Sequence, residues 1–488
     1  MLYRESLFDR TFAPLRRALF GTAPSDEAGV ALNEAGVEKL KQRIEDCLER
    51  RGGEVSARAR AADLGHFYLN LDPDGRRRFL ALLATDYGVD RARLDAAMGA
   101  FQALEPGADS GRAERELRAA LIHRRVILLK QFNGLSEGVK FLVDMRAEII
   151  SLLGEMPELR PLNDDLRELL TSWFDIGFLN LRRITWDAPA VLLEKLMAYE
   201  AVHEIRSWDD LKNRLDSDRR CFAFFHSRMP DEPLIFVEVA LVSGMADNVQ
   251  DLLDLHAPEG DPGKADAAIF YSISNAQAGL AQVSFGDFLI KRVVDELRAE
   301  LPNLKTFATL SPVPGFRRWL DKMLEQIEVV PWELIQDGAL AEAAGTGCGR
   351  EGLRSLLARH DWHRDEAAVA ALRPVLEPLA ARYLLHEKRG QRALDPVQNF
   401  HLSNGARLER INWLGDTSAN GMEGAAGLMV NYLYKLADIE QNHEDYRGRG
   451  KVTAAAPVRK LLKSWATTNS AGVFRRRRSD LSGHPRCR

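Results

Sequence analysis

The sequence predicts a protein of two parts, a helical N-terminal region followed by a region of mixed α+β structure. Its 488 residues are enough for two or three domains with large buried cores. Through the first 170 or so residues apolar side chains recur three or four positions apart, which is typical of helices. After Ser172 the chain instead shows short runs rich in Phe, Val, Ile and Thr, which are typical of strands.

The N-terminal region, residues 1–172, is expected to form an antiparallel helical bundle. The segment 36–51 shows the pattern, with apolar side chains on one helical face at Val37, Leu40, Ile44 and Leu48. Comparable runs follow, separated by Pro or Gly. We find no convergent polar cluster among them, so the expected role is packing or self-association.

The region 173–468 is expected to contain a sheet. Four runs predict strands, at 221–226, 234–242, 267–274 and 306–311. The segment 228–233 contains two prolines and predicts the hairpin connection between the first two strands. An amphipathic helix is predicted at 285–301, between the last two runs. A strand, a helix and a strand in this order imply two neighbouring parallel strands.

Charge and composition exclude several function classes. The formal net charge is −4, whereas a nucleic-acid-binding protein is usually basic. No run of about 18 apolar residues exists, so we expect no transmembrane helix. The four cysteines lie far apart, which fits a reducing cytoplasm and no disulfide scaffold. The Arg-rich stretch 475–478 lies in a polar tail, 469–488, for which a solvated, disordered terminus is preferred over a contact with RNA, lipid or acidic protein.

No motif indicates a cofactor or a metal. The sequence has no Walker A, HExxH, CxxC or GxSxG motif, and no GxGxxG motif after a predicted strand. One cluster resembles a metal site, but without a distant third ligand a solvated helix end is preferred. That cluster comprises His360, Asp361, His363 and Asp365.

The loop between the strand 267–274 and the following helix is a candidate phosphate-binding turn. Small residues and glycines let a phosphate approach the free N–H groups of a helix N-terminus, and Ser284 is placed to cap that helix. An ordinary glycine-containing loop explains the same residues equally well. The candidate residues are Ala281, Gln282, Val283, Ser284, Phe285, Gly286 and Asp287.

Two further residues are candidates for chemistry. Ser311 ends the next strand, before Pro312 and Pro314, and ligands of open α/β sheets lie beyond the carboxyl ends of strands. His401 lies among Asn and Ser residues beside the pair Asn404-Gly405, a turn-rich setting that suits an acid or base. Taken singly, each residue has a structural explanation: a Ser-Pro turn and a structural histidine.

Five segments taken together resemble the malonyl-CoA decarboxylase family. The resemblance runs in order from about residue 135 to about residue 465. The segments are ITWDAPAVLLEKL (184–196), FYSISNAQAGL (270–280), FLIKRVVDELRAELPNLKTFATLSPVPGF (288–316), HLSNGARLERINWLGD (401–416) and GLMVNYLYKL (427–436).

This resemblance implies a fold and an activity. The fold is a helical domain followed by a catalytic domain of the GNAT acetyltransferase type, and the reaction converts malonyl-CoA and a proton to acetyl-CoA and carbon dioxide. The family's serine and catalytic histidine fall on Ser311 and His401, and its CoA-binding position falls on the turn 281–287. Animal members have Glu-Leu-Gly where this chain has Ser284-Phe285-Gly286, which leaves the role of that acidic side chain open.

The reaction itself requires no organic cofactor and no metal, because the thioester accepts the electron pair as an enolate. We expect His401 to protonate the enolate carbon and Ser311 to hold the malonyl carboxylate or relay its proton. Asn404 and Tyr432 are secondary candidates near the histidine. Members of the family form homo-oligomers, so the resemblance also implies a homotetramer or homodimer that associates through the helical region.

Two other function classes remain open at this stage. A GNAT-type acyltransferase would release free CoA only in the presence of an amine, whereas a decarboxylase would form acetyl-CoA without one. A non-catalytic assembly protein would not bind CoA through residues 173–470.

Overall fold

The computed structural model describes residues 29–49, 53–105, 107, 109–135, 137–174, 176–283, 289–325 and 337–462. They belong to two compact units. The first unit comprises the chain up to Asn180 together with Phe224–Leu234 and Asn275–Gly286, and the second comprises the remainder. The predicted tail, 469–488, lies outside the described residues.

The N-terminal region is helical, as the spacing of its apolar residues predicts. Aspartate and asparagine side chains cap several of these helices, such as Asn33 and Asp72. The core is a continuous apolar cluster that includes Leu40, Phe79 and Phe132. The helices are α1 (Glu34–Leu48), α2 (Gly53–Asn70), α3 (Pro73–Asp86), α4 (Arg91–Gln102), α5 (Gly111–Ala120), α6 (Arg124–Asn133), α7 (Gly138–Leu152) and α8 (Arg160–Trp173).

A mixed sheet follows, which confirms the helical-then-α+β class. Its strand order is β1-β2-β3-β4-β5-β10-β6, in which β5 and β6 pair with successive parts of one edge of β10. Strand β9 pairs with the other edge of β10. The strands are β1 (Leu179–Ile184), β2 (Arg219–His226), β3 (Met229–Val242), β4 (Ala267–Asn275), β5 (Thr306–Thr309), β6 (Ser311–Pro312), β9 (Arg407–Asn412) and β10 (Met429–Leu433), while β7 (Lys388–Arg389) and β8 (Arg392–Ala393) form a separate hairpin.

The predicted parallel pair is confirmed, since β4 and β5 pair in parallel with Ala267 opposite Thr306. Between them lies α12 (Leu289–Glu300), while the first residues of the predicted helix, 285–288, lie outside the described residues. The hairpin prediction at 228–233 was too long. Only Ser227 and Arg228 connect β2 to β3, and the two prolines lie within β3.

The strand predicted at 306–311 is interrupted. It divides at Leu310 into β5 and β6, both of which pair antiparallel with β10. The interruption has a side-chain cause, because the Thr309 hydroxyl accepts the Tyr432 N–H at 3.1 Å and occupies a ladder donor of β10. Ser311 therefore lies in a strand of its own, opposite Val430.

The remaining helices lie after β1 along the chain. No helix within the described ranges is long and apolar enough to span a membrane. The helices are α9 (Ala190–Tyr199), α10 (Trp208–Arg214), α11 (Val249–Leu253), α13 (Phe316–Glu325), α14 (Asp337–Ala344), α15 (Gly349–Ala358), α16 (Glu366–His386), α17 (Pro396–Ser403), α18 (Ala419–Ala425) and α19 (Ile439–Arg449).

The Asn404-Gly405 turn expected beside His401 is present, but His401 itself lies in helix α17, which was not predicted. The local sequence explains the helix. Asp395 caps its N-terminus and Pro396 occupies the first turn, where a missing N–H costs nothing. Gly405 adopts φ +81° just beyond Asn404 and ends the helix.

We expect Gly405→Ala to destabilise the protein. A Cβ atom at this position would lie 2.3 Å from the Ile439 carbonyl oxygen, and the left-handed backbone alone costs an L-residue about 1–2 kcal/mol. Thermal unfolding should therefore show a lowered Tm. The matched control is Gly448→Ala in α19, where nothing lies within 4 Å of the added atom and Ala is the better helix former. Equal Tm values for the two variants would contradict this account.

Candidate active site

His401 is held by hydrogen bonds at both ring nitrogens. Its Nε2 lies 3.1 Å from Ser311 Oγ, and its Nδ1 lies 2.8 Å from the Tyr434 hydroxyl. The side chain is only 2% exposed. The Tyr432 ring stacks on the imidazole with centroids 4.7 Å apart. The imidazole therefore has one defined orientation, with one nitrogen facing a serine and the other facing a phenol.

Ser311 and Tyr434 reach the histidine from neighbouring backbone segments. Ser311 lies in β6, and Tyr434 directly follows β10, the strand with which β6 pairs. Tyr432 and Tyr434 are two residues apart, so their side chains leave the same face of an extended segment. His401 comes from α17, on that face.

One buried carboxylate connects the histidine's helix to the loop after the serine. Asp395 Oδ1 accepts the N–H groups of Val397 and Gln398, each at 3.0 Å, at the start of α17. Its Oδ2 accepts the Gly315 N–H at 3.3 Å and the Tyr383 hydroxyl at 3.4 Å. Burial raises the pKa of Asp395, and the hydrogen bonds it accepts oppose that rise. Asp395 thus fixes the segments that carry His401 and Ser311.

A polar network supports the serine from the side opposite the histidine. The Ser311 hydroxyl lies 2.8 Å from Thr309 Oγ1, which also accepts the Tyr432 N–H. The Asn431 side chain donates to the Thr309 carbonyl at 2.7 Å. These bonds replace the regular ladder at the interruption between β5 and β6, and they hold the Ser311 side chain in place.

The imidazole and the two phenols of the site are uncharged in the free protein. Burial lowers the pKa of His401 to about 3, so its imidazole carries no charge near neutral pH. Burial raises the pKa of Tyr434 and Tyr432, so both remain phenols. A tautomer with the proton on Nε2 accounts for this chain of hydrogen bonds: Tyr434 donates to Nδ1, Nε2 donates to Ser311, and Ser311 donates to Thr309.

The other predicted site residues have different positions. Asn404 ends α17, and its side chain donates to the Phe400 carbonyl at 2.9 Å, so it acts on the helix end. Ala281, Gln282 and Val283 lie in the first unit, whereas Ser311 and His401 lie in the second. Ser284, Phe285, Gly286 and Asp287 lie outside the described residues. The structure therefore joins Ser311, His401 and Tyr432 in one cluster.

Sequence reasoning missed three members of this cluster: Tyr434, Thr309 and Asp395. A signal existed for Tyr434, because it follows the named candidate Tyr432 at the two-residue period of a strand. Asp395 precedes Pro396, a common pattern at the start of a helix. Thr309 had no signal, since its role depends on the interruption of the strand.

One member of the cluster at 360–365 lies at a helix end, as the sequence predicts for that cluster. Asp365 caps α16 by accepting the Ala367 and Ala368 N–H groups and pairs with Arg359 at 3.0 Å. Within the described part of the chain, no three His, Cys, Asp or Glu side chains are grouped so that they could hold a metal ion.

Comparison with known proteins gives consistent matches over most of the chain. The family model for the malonyl-CoA decarboxylase C-terminal domain matches residues 177–471, and the model for the N-terminal domain of that family matches residues 87–174. The mitochondrial malonyl-CoA decarboxylase of Anser anser anser is 39% identical over 417 residues, which cover 82% of this chain and 83% of that protein. That of Rattus norvegicus is 37% identical over 429 residues, covering 85% and 87%.

Solved structures of two bacterial proteins are also similar. The malonyl-CoA decarboxylase from Rhodopseudomonas palustris has a TM-score of 0.80 and 45% sequence identity, with 87% of this chain and 99% of that chain covered. The malonyl-CoA decarboxylase from Agrobacterium vitis has a TM-score of 0.78 and 42% identity, with the same coverage.

The neutral state of His401 can be observed directly. We expect its imidazole resonance, in protein labelled at the histidine ring, to stay at the uncharged position from about pH 5 to about pH 8, because its pKa is lowered to about 3. Exposed histidines should titrate near pH 6.5. His401→Gln identifies the signal among those of the 11 histidines by its disappearance. A midpoint near pH 6.5 for that signal would contradict the account.

Proposed function

Because the chain belongs to the malonyl-CoA decarboxylase family, we propose that the cluster of Ser311, His401 and Tyr434 is the centre at which malonyl-CoA loses carbon dioxide. The observation that carries this proposal is the hydrogen-bonded chain from Ser311 Oγ through both nitrogens of His401 to the Tyr434 hydroxyl. This chain contains an acid of fixed orientation, the His401 imidazole. The hydroxyl at one end of the chain belongs to Ser311, which is already a candidate on sequence grounds.

The reaction determines what the site must supply. The bond between the α-carbon and the carboxylate breaks, its electron pair becomes the thioester enolate, and carbon dioxide departs. The enolate carbon then takes one proton and becomes the methyl group of acetyl-CoA. The protein must hold the carboxylate, stabilise the enolate oxygen and deliver the proton. One donor aimed at such an oxygen is typically worth about 2.7–4 kcal/mol.

His401 is the proposed proton donor, and the substrate prepares it. A malonyl carboxylate beside Ser311 places a negative charge near the imidazole, and this charge opposes the desolvation that lowers the His401 pKa. His401 therefore takes up a proton from solvent when substrate binds. As the carboxylate leaves, the Nε2 proton passes to the enolate carbon, directly or through the Ser311 hydroxyl. The overall reaction consumes the same single proton.

The neighbours of His401 have supporting roles. Ser311 holds the malonyl carboxylate by turning its hydroxyl proton from Thr309 Oγ1 to the carboxylate. The Tyr434 hydroxyl fixes Nδ1, so that Nε2 is the nitrogen that carries the transferable proton. Tyr432 packs against the ring face. The backbone N–H groups of 281–287 are proposed to hold the CoA pyrophosphate.

In this proposal, residues 173–468 carry out catalysis and residues 1–172 carry out self-association, and the protein acts in the cytoplasm. Large apolar side chains of the helical region are exposed around α4 and α5: Met98, Phe101, Leu121 and Ile122. We expect a dimer or tetramer by sedimentation velocity, and a smaller species for Phe101→Glu with Leu121→Glu. A wild-type monomer, or a variant of unchanged size, would contradict this assignment.

The activity is tested with purified protein and malonyl-CoA alone. We expect acetyl-CoA, measured by mass spectrometry, without any amine. His401→Ala should lower kcat by about 100-fold or more with a smaller effect on KM, because a positioned general acid contributes about 10²–10⁴-fold.

Ser311→Ala serves as the companion variant and should lose both kcat and substrate orientation. Val430→Ala, opposite Ser311 on β10 and outside the hydrogen-bonded chain, controls for damage to the local packing. A His401→Ala enzyme that keeps more than about a tenth of wild-type kcat would move the acid elsewhere. Product that requires an added amine would overturn the decarboxylase assignment itself.

A further inference from the structure

Arg146 is a buried cation of the helical region that has no carboxylate partner among the described residues. It lies in α7 and is only 2% exposed. Its Nη1 donates to the carbonyl oxygens of Gly279 at 2.6 Å and Ala281 at 2.9 Å, and its Nε donates to Asn163 Oδ1 at 3.2 Å. Burial lowers the pKa of Arg146 to about 10, which leaves the guanidinium charged near neutral pH.

The Ala281 carbonyl belongs to a tight turn at residues 280–283, and Gly279 directly precedes that turn, within the same unit as α7. Val283 N–H donates to the Leu280 carbonyl at 3.0 Å. Ala281 has φ −53° and ψ 130°, and Gln282 has φ +63°. These values define a type II turn, in which the third position usually holds glycine. The turn is packed against α7, since a Cβ atom on Gly279 would lie 1.8 Å from the Val143 carbonyl oxygen.

Arg146 determines which face the central peptide of this turn presents. A trans peptide directs its C=O and its N–H to opposite sides. The Ala281 carbonyl accepts from Arg146, so the Gln282 N–H of the same peptide is directed away from the guanidinium. That N–H has no acceptor among the described residues, and Gln282 is exposed.

The alternative turn would present the opposite polarity. In a type I turn the central peptide is rotated by about half a turn, and Gln282 would avoid the left-handed region that costs an L-residue about 1–2 kcal/mol. The carbonyl oxygen of Ala281 would then occupy the outward side and repel an anion. The hydrogen bond from the Arg146 guanidinium to the Ala281 carbonyl opposes this rotation, and the bond to the Gly279 carbonyl holds the guanidinium beside the turn.

We propose that Arg146 is a positioning residue for the phosphate groups of CoA, which holds the 281–282 peptide so that the Gln282 N–H faces the ligand. The ligand class is a pyrophosphate diester. The proposal rests on the proposed function, in which the turn beginning at Ala281 binds CoA. It also gives the helical region a second role, because a residue of α7 governs the polarity of a substrate-binding turn in addition to any role in self-association.

The test compares substrates with and without phosphate. We expect Arg146→Met to raise the KM for malonyl-CoA about tenfold, which corresponds to about 1.4 kcal/mol, with kcat within about threefold of wild type, because the hydrogen bond from a charged donor that holds the 281–282 peptide is lost. The KM for malonyl-pantetheine, which lacks the pyrophosphate, should be unchanged. An equal rise for both substrates, or no rise for either, would overturn the proposal. A wild-type enzyme without decarboxylase activity would instead overturn the proposed function.

A rescue separates positioning from general damage to the helical region. Gln282→Gly in the Arg146→Met background should recover most of the lost affinity for malonyl-CoA, because glycine adopts the left-handed position without cost. Arg167→Met, which removes an exposed arginine of α8, is the matched control and should leave KM unchanged. Failure of the glycine rescue would show that Arg146 acts otherwise than through the turn.

A second variant keeps the proposal testable if Arg146→Met does not fold. Gln282→Val alters only an exposed side chain, but a β-branched residue disfavours positive φ and should shift the turn toward type I. We expect a higher KM for malonyl-CoA and an unchanged KM for malonyl-pantetheine. An unchanged KM for malonyl-CoA in this variant would overturn the proposal.

Discussion

The burial of an uncharged imidazole between a serine and a tyrosine is the constraint on which the rest of the site depends. His401 is withdrawn from water, so that its charged form is disfavoured, and both of its nitrogens are occupied by hydroxyl groups. An isolated histidine in water would be partly protonated and free to rotate. Here the protonation state and the orientation of the imidazole are fixed before any substrate arrives. A carboxylate that enters the site changes the protonation state of the imidazole without altering its orientation.

The surrounding fold can be understood from this requirement. The histidine comes from a short helix and the serine from a two-residue strand, and neither element is held by extensive regular hydrogen bonding of its own. Asp395 compensates by accepting hydrogen bonds from both the start of that helix and the loop after the serine. Its carboxylate is buried, so breaking any of these bonds leaves a polar group without a partner at a cost of about 1–3 kcal/mol.

The sequence predicts the parts of the molecule that follow from local pattern. Apolar spacing in segments such as 36–51 predicts the helical region. Between Ala267 and Thr309, a strand-like run, an amphipathic helix and a second strand-like run predict two parallel strands with a helix between them. The resemblance of the chain to a known family supplies Ser311 and His401. Two of the errors arise from side-chain hydrogen bonds that change the local structure, one across a long separation and one within a helix cap. Thr309 captures a ladder donor of Tyr432 and divides the predicted strand, and Asp395 converts an apparent turn into a helix. Arg146 acts through partners distant in sequence, which no local window can reveal, whereas the two-residue spacing from Tyr432 was a local signal for Tyr434.

The most direct test of the central claim is the structure of the protein with a malonyl-CoA analogue in which an amide replaces the thioester and so slows decarboxylation. The account predicts the terminal carboxylate within hydrogen-bonding distance of Ser311 Oγ, at about 2.5–3.0 Å, and the α-carbon on the side of His401 that carries Nε2. A malonyl group bound elsewhere, with the hydrogen bonds of Ser311 and His401 undisturbed, would contradict it.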